Sequence, residues 1–243
     1  MSVQYACSHI HHVGGGFDLQ KAPRKKFAAK EIIRHPDEVP DTVYRIEAGI
    51  VRPFYTGPQG DDALFSDLTT GDYIGDLSAI DGYNLDICYE AITDTTVIVL
   101  RRSQFIEILK CSPDFSFDFT KKLCDRVRAL NRLHIESRVL PMKARLCAEL
   151  LRLCSGIGSG ACVVSPAPTH AELARRVASQ RETVTKQLNQ LAKDGIIRQS
   201  RGKIFIDEID EIQSVVDAYL GDLSSSEHRG AVSTTRSELN RAL

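Results

Sequence analysis

THAELARRVASQRETVTKQLNQLAKDGIIRQSRGKIFI, residues 169–206, carries the densest local signal in the chain. Thr169 with Glu172 and Ser179 with Glu182 each place a hydroxyl three residues before a carboxylate, the capping-box pattern that opens a helix. Two short helices are therefore predicted in quick succession. Leu173, Ala174 and Val177 share one face of the first, and Val184, Leu188 and Leu191 one face of the second, so the pair can enclose a small common core. After Asp194-Gly195, the run IIRQSRGKIFI reads as two strands turning at Arg201-Gly202.

Charge then separates this segment from the rest. From His170 to Lys203 there are eight Lys/Arg against three acids, an excess of +5 in a chain of net charge −1. The outward face of the second helix carries Gln180, Arg181, Thr185, Lys186 and Asn189. A helix whose N-terminal side chains can reach base edges, flanked by cations for phosphate, meets the physical requirement for reading a major groove. The expected DNA-facing set is Thr169, His170, Ser179, Gln180, Arg181, Glu182, Thr183, Thr185 and Lys186, with Arg201 and Lys203 on the wing. Double-stranded DNA is the partner this implies.

Working outward, 243 residues with 42% hydrophobic content are enough for two domains with real cores. No stretch of about 18 apolar residues exists, and the N-terminus lacks the pattern of a signal peptide, so no membrane partner and a cytoplasmic location are expected. Seven cysteines, odd in number and without any C-x-x-C, suit reduced thiols. Cys88 and Cys124 read as buried small hydrophobes, and no catalytic residue is assigned.

Residues 1–26 read as a loose arm rich in Gly, His and cations. From Phe27 to Leu100, short runs such as TVYRIEAGIVRPFY, DALFSDL and TTVIVL alternate with glycine turns, an all-β barrel signature. Ser103 is the expected cap of a short helix holding Phe105, Ile108 and Leu109. Ser112-Pro113 then opens a helix that runs to Leu140 and stops at Pro141, about 40 Å long. Leu123, Val127, Leu130, His134 and Ser137 keep a 4-3-4-3 spacing along it, a seam suited to pairing with a second copy. Beyond it come the helix MKARLCAELLRLC, a glycine-rich link at 155–161, a strand in CVVSP, and a polar tail from 221.

Over residues 27–210 the chain resembles the CRP/FNR superfamily of bacterial transcription regulators. The resemblance rests on the spaced glycines Gly49, Gly60, Gly71-Asp72 and Gly75-Asp76, and on SQRETVTKQLNQL, which is similar to the family's recognition helix. It implies an α+β chain: a flexible arm over 1–26, a β-roll effector-type domain over 27–111, a long dimerisation helix over 112–140, a winged helix-turn-helix domain over 141–220, and a disordered tail over 221–243. It further implies a homodimer on a palindromic operator, with RNA polymerase as a partner. Carried over from the family, Arg181 contacts a guanine edge, Glu182 a cytosine amine, and Lys186 stands where relatives often have Arg. Ala178 falls where they often have Gly.

The resemblance also marks GDLSAIDGYNLDICYEA, residues 75–91, as the corner that holds a cyclic phosphate in nucleotide-binding members. The effector-pocket candidates are Gly75, Asp76, Leu77, Leu85 and Asp86, with Leu130 and Asn131 on the long helix. The family's Arg-Ser clamp becomes Leu85-Asp86: a Leu in place of the guanidinium supplies no hydrogen bond, and an Asp beside it repels a phosphate. Ordinary cyclic-nucleotide dependence is therefore not expected and no cofactor is assigned; the alternative is a regulator gated by a cyclic nucleotide or another small ligand, or a redox- or metal-responsive one. Cys7-Ser-His-Ile-His-His has ligand-type side chains, but as a His-rich arm it reads as incidental, and no metal site is assigned.

Overall fold

The computed structural model describes residues 19–38, 41–58, 62–84, 86–158 and 161–220; the arm before residue 19 and the tail from 221 lie outside them. The chain divides after Leu130 into two compact units. The first opens with a 3-10 turn, Leu19–Lys21, followed by strands β1 (Arg24–Phe27), β2 (Ile32–Arg34), β3 (Thr42–Ala48), β4 (Val51–Thr56), β5 (Asp62–Leu64) and β6 (Tyr73–Ile74). Helix α1 (Asp76–Asp81), strands β7 (Cys88–Ala91) and β8 (Thr95–Arg101), and helix α2 (Arg102–Cys111) come next. Helix α3 (Pro113–Val139) begins in the first unit and ends in the second.

Two four-stranded antiparallel sheets, ordered β1-β8-β3-β6 and β2-β7-β4-β5, form the roll. Phe27, Ile33, Ile46, Val51, Ile74, Ala91 and Val97 make one core. A second core holds Tyr73, Phe105, Phe115 and Phe119, whose rings sit 5.5–6.4 Å apart, mostly edge to face. Such pairs add about 0.5–1.5 kcal/mol each beyond area burial, which fixes α2 and the start of α3 to the roll. The β3–β4 turn requires glycine: a Cβ on Gly49, at φ +104, would lie 2.4 Å from Thr95 Oγ1.

Four local readings need correction. The arm does not run to residue 26, because Leu19 and Ala22 are buried in the aromatic core and β1 pairs with β8; two apolar residues in a basic stretch have no periodicity to reveal them. The cassette segment is not simply two turns and a strand. Gly75 and Gly82, both left-handed, bracket a six-residue helix too short to show a period. Helix α2 starts at Arg102, straight off β8, and Gln104 Oε1 rather than Ser103 accepts the Arg101 N–H at 2.9 Å. The glycine-rich link is partly a strand, since Ser155–Gly158 pairs with β10 below.

Helix α3 has the bounds its Pro113 and Pro141 dictate, with Ser112 Oγ accepting the Phe115 N–H at 3.4 Å. The second unit continues with α4 (Met142–Leu153), β9 (Ser155–Gly158), β10 (Ala161–Val164), α5 (His170–Arg176), α6 (Arg181–Lys193), β11 (Ile197–Ser200), β12 (Lys203–Ile206) and α7 (Ile209–Leu220). The sheet order is β11-β12-β10-β9, and a single core takes Leu173, Val184, Leu188 and Leu191 from the paired helices with Leu146, Leu150 and Ile212 from α4 and α7.

Candidate nucleic-acid interface

Helix α5 starts as its sequence dictates. Thr169 Oγ1 accepts the Glu172 N–H at 3.2 Å, and Glu172 Oε2 accepts the Thr169 N–H at 2.6 Å. The second capping box does not form. Gln180 is the N-cap of α6, without a side-chain cap bond, and Ser179 is spent on closing α5 instead. Its N–H donates to Ala174 O at 2.9 Å while the Ala178 N–H points to Arg175 O at 3.4 Å, the two bonds of a Schellman ending. Ala178 takes φ +47 in that ending. The left-handed region costs a residue with a Cβ about 1–2 kcal/mol, so the glycine-for-alanine departure falls on the position where backbone freedom matters.

The tight ending sets α6 against α5, and further bonds hold the pair. Arg145 of α4 donates from Nε to Val177 O and from Nη1 to Leu140 O, both at 3.1 Å. His170 Nδ1 lies 2.9 Å from Thr185 Oγ1 and Nε2 lies 3.4 Å from Gln199 Oε1, tying α5 to α6 and to the wing. Thr185 Oγ1 also donates to Arg181 O at 2.8 Å. Both side chains are half-buried; their visible work is to fix the angle between helices.

Arg181, Glu182 and Lys186 are exposed, and among the described residues their side chains have no hydrogen-bond or ion-pair partner. They line one open surface with Thr185, Asn189, Gln190 and Lys193. Lys193 and Gln190 lie outside the expected set, although the spacing 182, 186, 190, 193 continues the same helical face. Thr169, Gln180 and Thr183 are exposed around the two helix starts, and Ser179 is half-buried. Arg201 and Lys203 are exposed at the wing turn. Arg198 is paired bidentately with Asp207, at 2.6 and 2.7 Å, which raises its pKa through those hydrogen bonds and braces the wing.

A buried ionic chain runs through this unit. Glu136 of α3 pairs with Arg152 of α4 at 2.6 Å, Arg152 with Glu149 at 2.8 Å, and Glu149 with Arg176 of α5 at 3.1 Å. Burial works against the Arg152 cation, but Glu149 and Glu136 more than offset it and raise its pKa. The sequence offered no sign of these partnerships.

In the roll, Gly75 and Asp76 are buried, whereas Leu77 is 43% exposed and faces away from the interior, a correction to its place among the pocket candidates. An α1 residue next to a buried one necessarily turns about 100° away. Asp86 is exposed, and Leu85 lies outside the described residues. Asp76 pairs with Arg126 of α3 at 2.6 Å; burial nonetheless holds its pKa above the ordinary value, outweighing Arg126 and the backbone N–H groups. Asn131 is exposed.

On α3, Leu123 packs on the roll's own core and so leaves the seam, while Val127 and Leu130 are 55% and 59% exposed. His134 and Ser137 lie beyond them, both exposed. Cys124 is exposed rather than buried, because it falls on the outer side of α3, and Cys88 is half-buried. No group of three or more His, Cys, Asp and Glu that could hold a metal occurs among the described residues, and Cys7 with its histidines lies outside them. No described helix is long and apolar enough to cross a membrane.

Two family descriptions match: a cyclic nucleotide-binding domain over residues 24–111 and a Crp-like helix-turn-helix domain over 144–215. The chain is 30% identical over 199 residues to the transcriptional regulator SdrP of Thermus thermophilus, covering 79% of this chain and 93% of that one. It is 25% identical over 190 residues to the cyclic AMP receptor protein of the same organism, covering 76% and 84%. Among solved structures, a CRP/FNR-family transcriptional regulator, also from Thermus thermophilus, superposes with a TM-score of 0.65 at 25% identity, covering 80% of this chain and 98% of that one. FixK2 from Bradyrhizobium japonicum shares the fold, with a TM-score of 0.69 at 19% identity over 80% and 96% of the two chains. SdrP and the matched CRP/FNR-family protein are named as transcriptional regulators, not enzymes, and with the roll, the long helix and the winged helix-turn-helix described above, the chain belongs to the CRP/FNR family of DNA-binding transcriptional regulators.

Proposed function

We propose that two copies of this chain pair along α3 and read a palindromic operator, one α6 in each of two successive major grooves, without a requirement for cyclic AMP. The observation that carries the reading is the exposed, internally unpartnered trio Arg181, Glu182 and Lys186 at the start of α6. A guanidinium so presented can fork to guanine O6 and N7, and a carboxylate can accept from cytosine N4. Glu182 is free for this role because the second capping box is not formed. Lys186 supplies a point charge rather than a fork, and Arg201 and Lys203 on the wing serve phosphate. Exposed Val127 and Leu130 support α3 as the pairing surface, since apolar side chains on a charged helix gain stability by being covered.

Independence from cyclic AMP rests on charge. The segment from Gly75 to Ala91 contains four acids and no Lys or Arg, so the cassette itself offers no cation to a cyclic phosphate. Relatives include several named for cyclic AMP and others named only as transcriptional regulators, so their names do not decide the point.

The test is selection of bound genomic DNA by the full chain, followed by fluorescence anisotropy on the recovered site. Arg181→Ala should weaken specific binding by about 1–3 kcal/mol, roughly 5- to 150-fold, and relax preference at one base pair per half-site. Unchanged specificity in that variant, or a footprint on one asymmetric half-site, would contradict the DNA reading. A large gain in affinity on adding cyclic AMP would contradict independence from it.

A further inference from the structure

Pro141 interrupts the path from α3 to the helix-turn-helix. It has no N–H to donate and takes an extended conformation, φ −64 and ψ 161, so the helical ladder of α3 does not continue into α4. A break of that kind swivels unless side chains bridge it, and here two separate bridges do. Arg145, Glu149 and Arg152 stand at i, i+4 and i+7 along α4 and so share one face of it. At the end of α3 the anchoring groups are the Glu136 carboxylate and the Leu140 carbonyl, one turn apart and joined by the Leu140 N–H to Glu136 O bond at 3.0 Å. The second unit begins at Asn131, so every one of these groups lies inside it.

The first bridge is ionic. Arg152 Nη1 meets Glu136 Oε2 at 2.6 Å and Arg152 Nη2 meets Glu149 Oε2 at 2.8 Å, which leaves Glu149 Oε1 for Arg176 Nη1 of α5 at 3.1 Å. Two anions and two cations alternate, and of the four side chains only Arg152 is more than slightly exposed, at 32%. The second bridge is Arg145, which donates to Leu140 O and to Val177 O, both at 3.1 Å. The two bridges start one turn apart at the end of α3 and arrive at consecutive residues, Arg176 and Val177, at the end of α5. Ala178, with its φ of +47, follows at once, and α6 starts three residues later at Arg181. Charge-assisted hydrogen bonds are the strong ones, and parting a buried pair leaves a charge without its counterion. A rotation of α5 against the end of α3 therefore has to break both bridges.

We propose that Glu136, Arg152 and Glu149 are positioning residues for operator reading: they lock the α3–α4 break, so that the α6 of each copy stands at a set angle to the pairing helix and the spacing of the two half-sites is built into the chain. The inference rests on the proposed reading of two copies paired along α3 on a palindrome, and adds what holds the two α6 helices at one separation. None of the three belongs to the exposed α6 surface; each acts on Arg181 and its neighbours through α5. A dimer so locked gains in full from its second half-site, since the second α6 arrives already aligned and no ordering cost falls on that step. Loosening the lock leaves each α6 competent and removes that gain.

The experiment is fluorescence anisotropy of the full chain on the operator recovered by selection, on one isolated half-site of it, and on the operator with a base pair inserted between the half-sites. The proteins are the parent, Glu136→Gln, Arg152→Lys and Arg181→Ala. Glu136→Gln removes only the charge at the α3 end, because Arg152 keeps Glu149 and Glu149 keeps Arg176. It should bind the half-site within about 2-fold of the parent, bind the operator about 5-fold or more weakly, and discriminate less against the inserted base pair. Arg152→Lys keeps the charge and loses the fork that spans both carboxylates, and should shift the same way. Arg181→Ala, at the DNA face itself, should weaken half-site and operator together. An operator-to-half-site ratio equal to the parent's in both Glu136→Gln and Arg152→Lys overturns the inference, and so does a loss shared equally by half-site and operator, which marks a role in folding alone. Should Glu136→Gln not fold, the ratio in Arg152→Lys decides. A parent that prefers the operator while the ratios stay fixed removes this inference alone; a parent with no preference for the operator over its half-site removes the paired reading under the proposed function, and the inference with it.

Discussion

Replacing Glu149 should be among the most damaging single changes in the second unit. Its carboxylate is 6% exposed and is shared between Arg152, at 2.8 Å, and Arg176, at 3.1 Å, the latter with a side chain only 5% exposed. In Glu149→Ala, Arg152 keeps Glu136 at 2.6 Å, but Arg176 loses the carboxylate it faces in a place water reaches poorly. Removing one partner of a buried pair costs about 3–5 kcal/mol, and for a chain of this size each kcal/mol lowers Tm by roughly 2–4 °C. Urea unfolding followed by circular dichroism, with scanning calorimetry, should show that loss, a fall of about 6–20 °C. The control is Glu149→Leu with Arg176→Met. A buried ion pair is often no better than a well-packed apolar one, so the double variant should recover most of the loss. The reasoning fails if Glu149→Ala costs under about 1 kcal/mol, or if the double variant is as unstable as the single one.

Two further outcomes follow from the titrating groups. Asp76 has its folded pKa raised from 3.8 by burial, against the pull of Arg126, so the folded chain holds that proton to higher pH than the unfolded chain does. The stability this contributes is present in full below the unfolded value and is lost as pH rises through the folded one. Urea midpoints measured from about pH 4 to 7 should therefore fall more steeply in the parent than in Asp76→Asn, and equal slopes would count against it. Burial pushes the Cys147 thiol up to about 11 and the Cys162 thiol up to about 12, the latter helped by its hydrogen bond with Cys154. At about pH 8, brief alkylation read by peptide mass spectrometry should label exposed Cys111 and Cys124 and spare Cys147 and Cys162; early labelling of Cys162 would show that the wing core opens readily.

What was legible in the sequence was whatever repeats or punctuates. The faces Leu173-Val177 and Val184-Leu191, the proline bounds of α3 and the turn at Arg201-Gly202 all follow from spacing or from one residue's backbone rule. Ser179-x-x-Glu182 has the right spacing and still forms no cap, because the same Ser179 N–H is claimed by Ala174 O in the ending of α5. Two local rules met at one residue, and the one that closes the earlier helix prevailed. That outcome leaves Glu182 exposed and unspent, so the failed cap and the candidate base contact are the same event. Arg34 shows the opposite limit. In EIIRHPDE it reads as an ordinary charged residue at a strand end, and nothing within several positions says that Gly75, distant in sequence, has left room for its guanidinium. The cassette's own lack of cations was visible; the packing of Arg34 from another strand against Gly75 was not.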